Sequence, residues 1–219
     1  PRSTLFPYTT LFRSTEELIA ILDRYQVKAT FFVVGEWVDR CGDSVRALSE
    51  AGHEIMNHSD THPNMPRLSR EKMVQEINAC NDKIQAITGK RPDLFRAPYG
   101  DYDNALLETV ETMQMYCLQW DVDSLDWKGL SAEEITRRVV SQTASGSILL
   151  FHNDAQHTPV LAHSRAVIQL TAVRKRQPQN KKKRQPGGIP QDISQCVPRA
   201  LLQHRLKKQV PAGIACDAK

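Results

Sequence analysis

Val27–Pro63 reads VKATFFVVGEWVDRCGDSVRALSEAGHEIMNHSDTHP, and the reading of this stretch decides the fold. Val27–Val34 is β-branched and aromatic, the composition of a buried strand. Ser44–Ala51 places Val45, Leu48 and Ala51 on one helical face, and Gly52 stops it. His53–Asn57 is a second, short strand. A strand, a helix and a strand in this order predict two parallel strands joined by a crossover helix.

The same alternation extends in both directions. Upstream, Glu16–Tyr25 carries Leu18, Ile21, Leu22 and Tyr25 at helical spacing. Downstream, Ser69–Thr88 is the longest helix. Ser69 caps it, Met73, Ile77, Ile84 and Ile87 form its apolar stripe, and Gly89 ends it. Leu94–Arg96 is a short strand, Asn104–Thr112 a helix and Met115–Asp121 a strand. Ser131–Gln142 is a helix opened by a capping box of Ser131 with Glu134, and Ser147–His152 is a last strand. The expected class is α/β.

Polar residues gather where strands end. His58, Arg96, Asp121–Asp126 and His152 all fall at or just past a strand's C-terminal end, the edge that carries the chemistry in parallel α/β sheets. His58-Ser59-Asp60-Thr61-His62-Pro63 sets two imidazoles four residues apart. On a helical turn they would share a face and could bind one ion. Two ligands alone make a weak site. The neighbouring His53-Glu54-Ile55-Met56-Asn57 misses the HExxH pattern, because Asn57 stands where the second histidine belongs. Arg96-Ala97-Pro98-Tyr99-Gly100 is a rigid turn whose arginine suits a carboxylate; a structural turn with a surface arginine is the equal alternative. Trp120-Asp121-Val122-Asp123-Ser124-Leu125-Asp126-Trp127 gathers three carboxylates and two indoles, although a solvated acidic loop has the same composition. His152 ends an apolar strand, either as a satisfied core histidine or as a general acid.

In order and spacing these four clusters resemble motifs two to five of the polysaccharide deacetylase family with a NodB-type domain, carbohydrate esterase family 4. The resemblance runs from about Thr15 to Pro159 and includes ATFFVVGEWV and EAGHEIMNHSDTHP. It implies a distorted (β/α) barrel, incomplete at the N-terminus. It also implies metal-assisted removal of N-acetyl groups from peptidoglycan, chitin or chito-oligosaccharides, with zinc as the expected metal. By the same resemblance His58 and His62 bind the metal and Arg96 orients the base. The Tyr99 N–H serves the oxyanion, and Trp127, Leu149 and Phe151 line the acetyl pocket. Asp126, or alternatively Asp123, orients the general acid His152. The family's first motif, a Thr-Phe-Asp-Asp type strand end, supplies the base and a third metal ligand. It should precede the first helix, yet no aspartate precedes Asp23. The chain is therefore expected to bind metal weakly and to be close to inactive, with a gap in the sheet beside Val27–Val34. A non-catalytic carbohydrate-binding remnant is the rival reading.

The two ends differ from the middle. Thr4–Ser14, TLFPYTTLFRS, resembles residue for residue one reading frame of a short-read sequencing adapter, so residues 1–14 are set apart from the domain. The overall net charge of +4 conceals an asymmetry: residues 160–219 hold 13 Lys and Arg against 2 Asp and Glu, and the rest hold 16 against 23. Every Phe, Trp and Tyr lies before residue 160. Such a segment buries little apolar surface, and the domain is expected to span 15–159. Residues 160–219 read first as a frameshifted sequence and second as a disordered basic tail. A nucleic-acid-binding arm around Lys181–Arg184 is a weak third, because aromatic interleaving is missing. The expected partner is an acetylated amino-sugar polymer and not nucleic acid. The five scattered cysteines form no CxxC pair and read as buried small hydrophobes. No apolar run is long enough to span a membrane. The resemblance suggests a secreted or cell-envelope bacterial protein.

Overall fold

The computed structural model describes residues 8–153 and 214–218, with side chains from Thr15 to Asn153. In chain order the elements are α1 (Tyr8–Arg24), β1 (Ala29–Val33), α2 (Gly35–Arg40), α3 (Gly42–Glu50), β2 (Glu54–Asn57), α4 (Arg70–Thr88) and β3 (Leu94–Phe95). They continue as α5 (Asn104–Thr112), β4 (Tyr116–Cys117), β5 (Val122–Asp123), α6 (Ala132–Gln142), β6 (Leu149–His152) and β7 (Ile214–Ala218). The seven strands form one parallel sheet in the order β4-β3-β2-β1-β7-β6-β5. Its two edge strands, β4 and β5, are joined by residues 118–121 alone, which brings the ends of the sheet back toward each other. This is the incomplete closure of a distorted (β/α) barrel.

Local signals in the sequence set the boundaries. Ser69 Oγ accepts the Lys72 N–H at the start of α4, and Gly89 ends that helix at φ 71°. The capping box of Ser131 with Glu134 opens α6. Asp103 caps α5 through the Leu106 N–H.

Alternation along each strand divides the interior in two. Phe31 and Val33 of β1, with Leu149 and Phe151 of β6, pack under the helices against Leu18, Leu22, Trp37, Val45, Leu48 and Val139. Phe32 points the other way and packs inside the sheet's curve with Leu94, Met56, Tyr116, Leu118 and Ile148. Burial of each such side chain contributes about 1.5–3 kcal/mol. Cys41 and Cys80 are buried thiols within the core, as expected of small hydrophobes. Burial pushes the Cys80 thiol up to about 12.

Three expectations change. The run Gly35–Arg40, not read as an element, is a short helix that seats Trp37 in the core. Tyr8–Ser14, set apart from the domain in the sequence reading, continue α1 as helix. The sheet also has no gap beside β1: Ile214–Ala218 fills it, pairing with β1 on one side and β6 on the other. These five residues depart from the expectation that 160–219 lies off the barrel. The physical reason is that an open main-chain edge between two buried strands is costly, and IACDA is apolar enough to pair there. Residues 154–213, with Lys181–Arg184, lie outside the described residues.

His53 links pH to stability. Its buried Nδ1 accepts the Ala29 N–H at 3.2 Å, which requires a neutral ring. Burial, reinforced by Lys28, lowers its pKa from 6.5 to about 4. Between these values the unfolded chain binds the proton and the folded chain does not. The stability that His53 confers at pH 7 is therefore lost as pH falls through this window. His53→Gln retains an acceptor for Ala29 and removes the titration. Urea unfolding at pH 7 and pH 4.5 should show a smaller loss of stability in this variant than in the parent; equal losses would contradict the assignment.

Candidate active site

The site lies along the carboxyl ends of the strands and has two halves. The first is built around the loop after β2. His58 is buried, and its Nδ1 lies 2.8 Å from the carbonyl oxygen of Arg96. A carbonyl only accepts, so Nδ1 carries the hydrogen and Nε2 the lone pair. The His62 ring lies 4.8 Å from the His58 ring at 72°, and the Tyr99 ring lies 4.7 Å from His62 at 68°. Two imidazoles this close, one with its tautomer fixed, suit a single divalent ion with metal–nitrogen distances of about 2.0–2.1 Å. They provide two donors, and among the described residues no group of three metal-ligating side chains occurs.

Residues 58–62 do not form a helical turn, in contrast to the spacing argument. Ser59 and His62 are left-handed at φ 67° and 59°, and side-chain hydrogen bonds hold the loop open. Asn57 Oδ1 accepts the Ser59 N–H, and Ser59 Oγ accepts the His62 N–H. The Glu76 carboxylate on α4 accepts from Asp60 N, Thr61 N and Thr61 Oγ1. Gly35 makes the close approach possible. A Cβ there would lie 1.9 Å from Asp60 Oδ1, while the Gly35 and Glu36 N–H groups donate to the Ser59 and Asp60 carbonyls. Sequence reasoning missed Asn57, Glu76 and Gly35. Asn57 adjoins His58 and ends a strand, a signal that could have found it; Glu76 looks like any charge on a solvated helix face.

Arg96 is fully buried. Its guanidinium lies 4.1 Å from the Phe32 ring centroid and 5.5 Å from that of Trp120, and its Nε donates to the Leu118 carbonyl. This excludes the surface-arginine alternative. Tyr99 is two-thirds exposed at φ 62° and is followed by Gly100 at φ 66°. A Cβ at Gly100 would meet Gln119 Nε2 and the Trp120 ring at 2.7 Å.

The second half centres on His152. Asp126 Oδ1 lies 2.7 Å from His152 Nδ1, and Asp126 Oδ2 accepts the His152 N–H at 2.7 Å. Both residues are buried. The carboxylate fixes the hydrogen on Nδ1 and leaves Nε2 for proton transfer. Asp123, the alternative partner, instead accepts the Leu125 N–H. Trp127 stands more than half exposed beside this pair. Leu149 and Phe151 do not join it. They lie in the helix-side core, on the face of β6 opposite His152, because side chains alternate along a strand. Leu150, two residues from His152, occupies the site-facing position.

The two halves meet through the sheet register, in which Phe32 of β1 and His152 of β6 both pair with Asp217 of β7. Phe32 carries the Arg96 guanidinium, and His152 carries Asp126.

Fold and site together define an α/β barrel protein whose carboxyl rim carries a buried aspartate–histidine pair and, in the loop after β2, two histidines in ring contact. The polysaccharide deacetylase family profile matches residues 11–118. A solved family 4 carbohydrate esterase from Streptomyces lividans, in complex with acetate, superposes with a TM-score of 0.68 and 32% identity, over 74% of this chain and 82% of that one. A family 4 pseudoenzyme from Bacillus anthracis superposes with a TM-score of 0.70 and 28% identity, over 74% and 57%. The peptidoglycan-N-acetylglucosamine deacetylase of Bacillus cereus is 32% identical over 139 residues, 64% of this chain and 50% of that protein. The chain belongs to the polysaccharide deacetylase family, carbohydrate esterase family 4. It spans half or less of the first curated relatives it matches, 43%, 50% and 33% of their lengths.

The Glu76 bonds predict a local effect. Glu76→Ala should accelerate amide exchange at Asp60 and Thr61 by at least about tenfold, the equivalent of losing one charge-assisted hydrogen bond of about 1.5 kcal/mol. Exchange at Ile77–Ile84 of α4 should stay unchanged. Unaltered exchange at both loop amides would show that the loop holds itself.

Proposed function

We propose that this domain is a metal-dependent N-deacetylase acting on an acetylated amino-sugar polymer such as peptidoglycan, chitin or a chito-oligosaccharide. The buried Asp126–His152 pair carries the reading, since it presents one imidazole nitrogen for proton transfer at the rim that holds the two-histidine loop. The names of the relatives support the substrate class. One is a peptidoglycan-N-acetylglucosamine deacetylase and another a chitooligosaccharide deacetylase.

The chain's own groups divide the work. His58 and His62 would hold the metal, with zinc favoured by the imidazole donors. When bound, such an ion polarises an acetamide carbonyl and acidifies a water. The left-handed turn at Tyr99 presents a backbone N–H toward a developing oxyanion. Trp127, with Leu150 in place of Leu149 and Phe151, offers apolar surface to the acetyl methyl. His152 Nε2 protonates the departing amine, which is needed because an amide anion is a poor leaving group, and Asp126 stabilises the imidazolium.

A second reading, a non-catalytic carbohydrate-binding remnant, is favoured by one observation: the described residues offer two metal donors where catalytic zinc sites usually take three. The similarity to a family pseudoenzyme agrees with it. Bacterial cell-envelope or secreted placement fits the relatives. Among the described residues, no helix is long and apolar enough to cross a membrane.

Acetate release from penta-N-acetylchitopentaose, measured with zinc at millimolar excess, separates the two. We expect slow, zinc-dependent turnover that stops on chelation and falls a further 10²–10⁴-fold in His152→Ala, the range for a lost general acid. Oligomer binding without any acetate release would favour the remnant.

A further inference from the structure

His58 and His62 reach the site by different routes. His58 follows β2 directly: its N–H donates to the Val33 carbonyl, and its ring meets the Arg96 carbonyl. His62 is delivered by the far end of the loop. Its left-handed backbone at φ 59° and its N–H bond to Ser59 Oγ set its direction. The spacing of the two imidazoles therefore depends on Ser59, Asp60 and Thr61 between them.

Asp60 is held at its N–H, its carbonyl and its carboxylate. The N–H donates to Glu76 Oε2 on α4, and the carbonyl accepts the Glu36 N–H at the start of α2. The carboxylate is tucked against Gly35, where a Cβ would lie 1.9 Å from Oδ1. This side chain keeps 18% of its exposure. A carboxylate withdrawn this far from water needs a counter-charge. Lys83 on α4 provides it: Nζ lies 2.7 Å from Asp60 Oδ1 and 2.6 Å from Asp39 Oδ2 on α2. Burial disfavours the charged amine, but the Asp39 and Asp60 carboxylates outweigh it and hold the Lys83 pKa above its ordinary value. Lys83 is thus an ammonium at neutral pH. It joins α2, α4 and the loop at one point. Glu76 and Lys83 lie two turns apart on one face of α4, so this face offers the loop both an acceptor and a cation.

We propose that Lys83 is a positioning residue for the His58–His62 pair, acting through Asp60 to set where the loop carries the second imidazole. This rests on the reading of the pair as an ion site and adds the group that sets its geometry. Without the ammonium, the Asp39 and Asp60 carboxylates that share it would repel each other. Asp60 then turns toward water, and the loop that it anchors moves with it. Glu76 holds the loop's N–H groups and Lys83 its side-chain charge, so the two contributions are separable.

The test titrates zinc into the full chain and follows the histidine ring signals by NMR. In the parent, the His58 and His62 signals should shift with one midpoint. Their rings should also show a nuclear Overhauser contact before zinc is added. Lys83→Met keeps an unbranched side chain and removes its charge. It should raise the zinc midpoint by about 10–100-fold, the range for loss of a group that orients a metal ligand. It should also weaken the ring contact. Adding Asp60→Asn to Lys83→Met removes the uncompensated carboxylate and should recover part of the zinc midpoint. Signals of Phe31, Leu48 and Val139 in the core should stay in place, which shows that the variants are folded. Lys83→Gln serves if the methionine variant does not fold. An unchanged midpoint with an unchanged ring contact would overturn the proposal. Absence of any recovery on adding Asp60→Asn would remove Asp60 as the route. A ring contact that weakens in Lys83→Met, when the parent's rings do not shift with zinc, would uphold the positioning role and overturn the ion reading instead.

Discussion

A strand buried on both faces cannot leave one of its main-chain edges unpaired. β1 holds Phe31 and Val33 against the helices and Phe32 inside the curve of the sheet, and on one side β2 pairs with it. Its other side needs a partner, because each buried N–H or carbonyl left without a hydrogen bond costs about 1–3 kcal/mol. β6 meets the same demand from the opposite direction. A single inserted strand, β7, satisfies both, and it aligns the Phe32 and His152 positions in one row. The site depends on this pairing, since the His58–His62 half hangs from β1 to β3 and the Asp126–His152 half from β5 and β6.

The rim stores backbone strain where it presents chemistry. Among the described residues six non-glycine residues have positive φ, and four of them, Ser59, His62, Tyr99 and Leu125, stand in the loops that follow strands at the site. Each costs on the order of 1–2 kcal/mol. The compensation is visible at three of them. Asn57, Ser59 and Glu76 hydrogen-bond the Ser59–His62 loop, and Asp123 receives the Leu125 N–H. The carboxylates that look like an acidic cluster in sequence are therefore divided by task. Asp121 and Asp123 shape loops, and Asp126 holds His152.

Much of this was legible in the sequence, for identifiable reasons. Helix ends written in local chemistry, such as Ser69 with Gly89 and Ser131 with Glu134, fall where expected because capping depends on residues a few positions apart. The ordering of His58, Arg96, Asp126 and His152 along strand ends was also readable, since a parallel sheet gathers such ends on one edge. Facing was not read correctly at Leu149 and Phe151. Counting back from His152 by two gives Leu150, but an all-apolar strand shows no alternation to count by. The 58–62 loop was misread because i and i+4 share a face only on a helix, and the local bonds from Asn57 and Ser59 that oppose a helix are reinforced by Glu76 on α4, which the spacing does not show. Nothing local marks Ile214–Ala218 either: its partners lie more than sixty residues earlier, and composition placed it within a basic segment.

The helix-side core explains why β6 can serve both purposes. Leu149 and Phe151 anchor the strand against Val139 and Ile135 of α6, and the opposite pair, Leu150 and His152, is left to face the site. Moving the strand by one residue would exchange these sets, burying His152 among aliphatic groups and turning Phe151 to the rim. Two bonds oppose that slip at the strand's ends. Asp121 holds the Ile148 N–H before β6 begins, and Asp126 holds the His152 N–H as it finishes. The carboxylate that orients the imidazole thus also fixes the register that delivers it. Loss of Asp126 would act on position as well as on charge, and the placement of the His152 imidazole is inseparable from the packing of Phe151 beneath it.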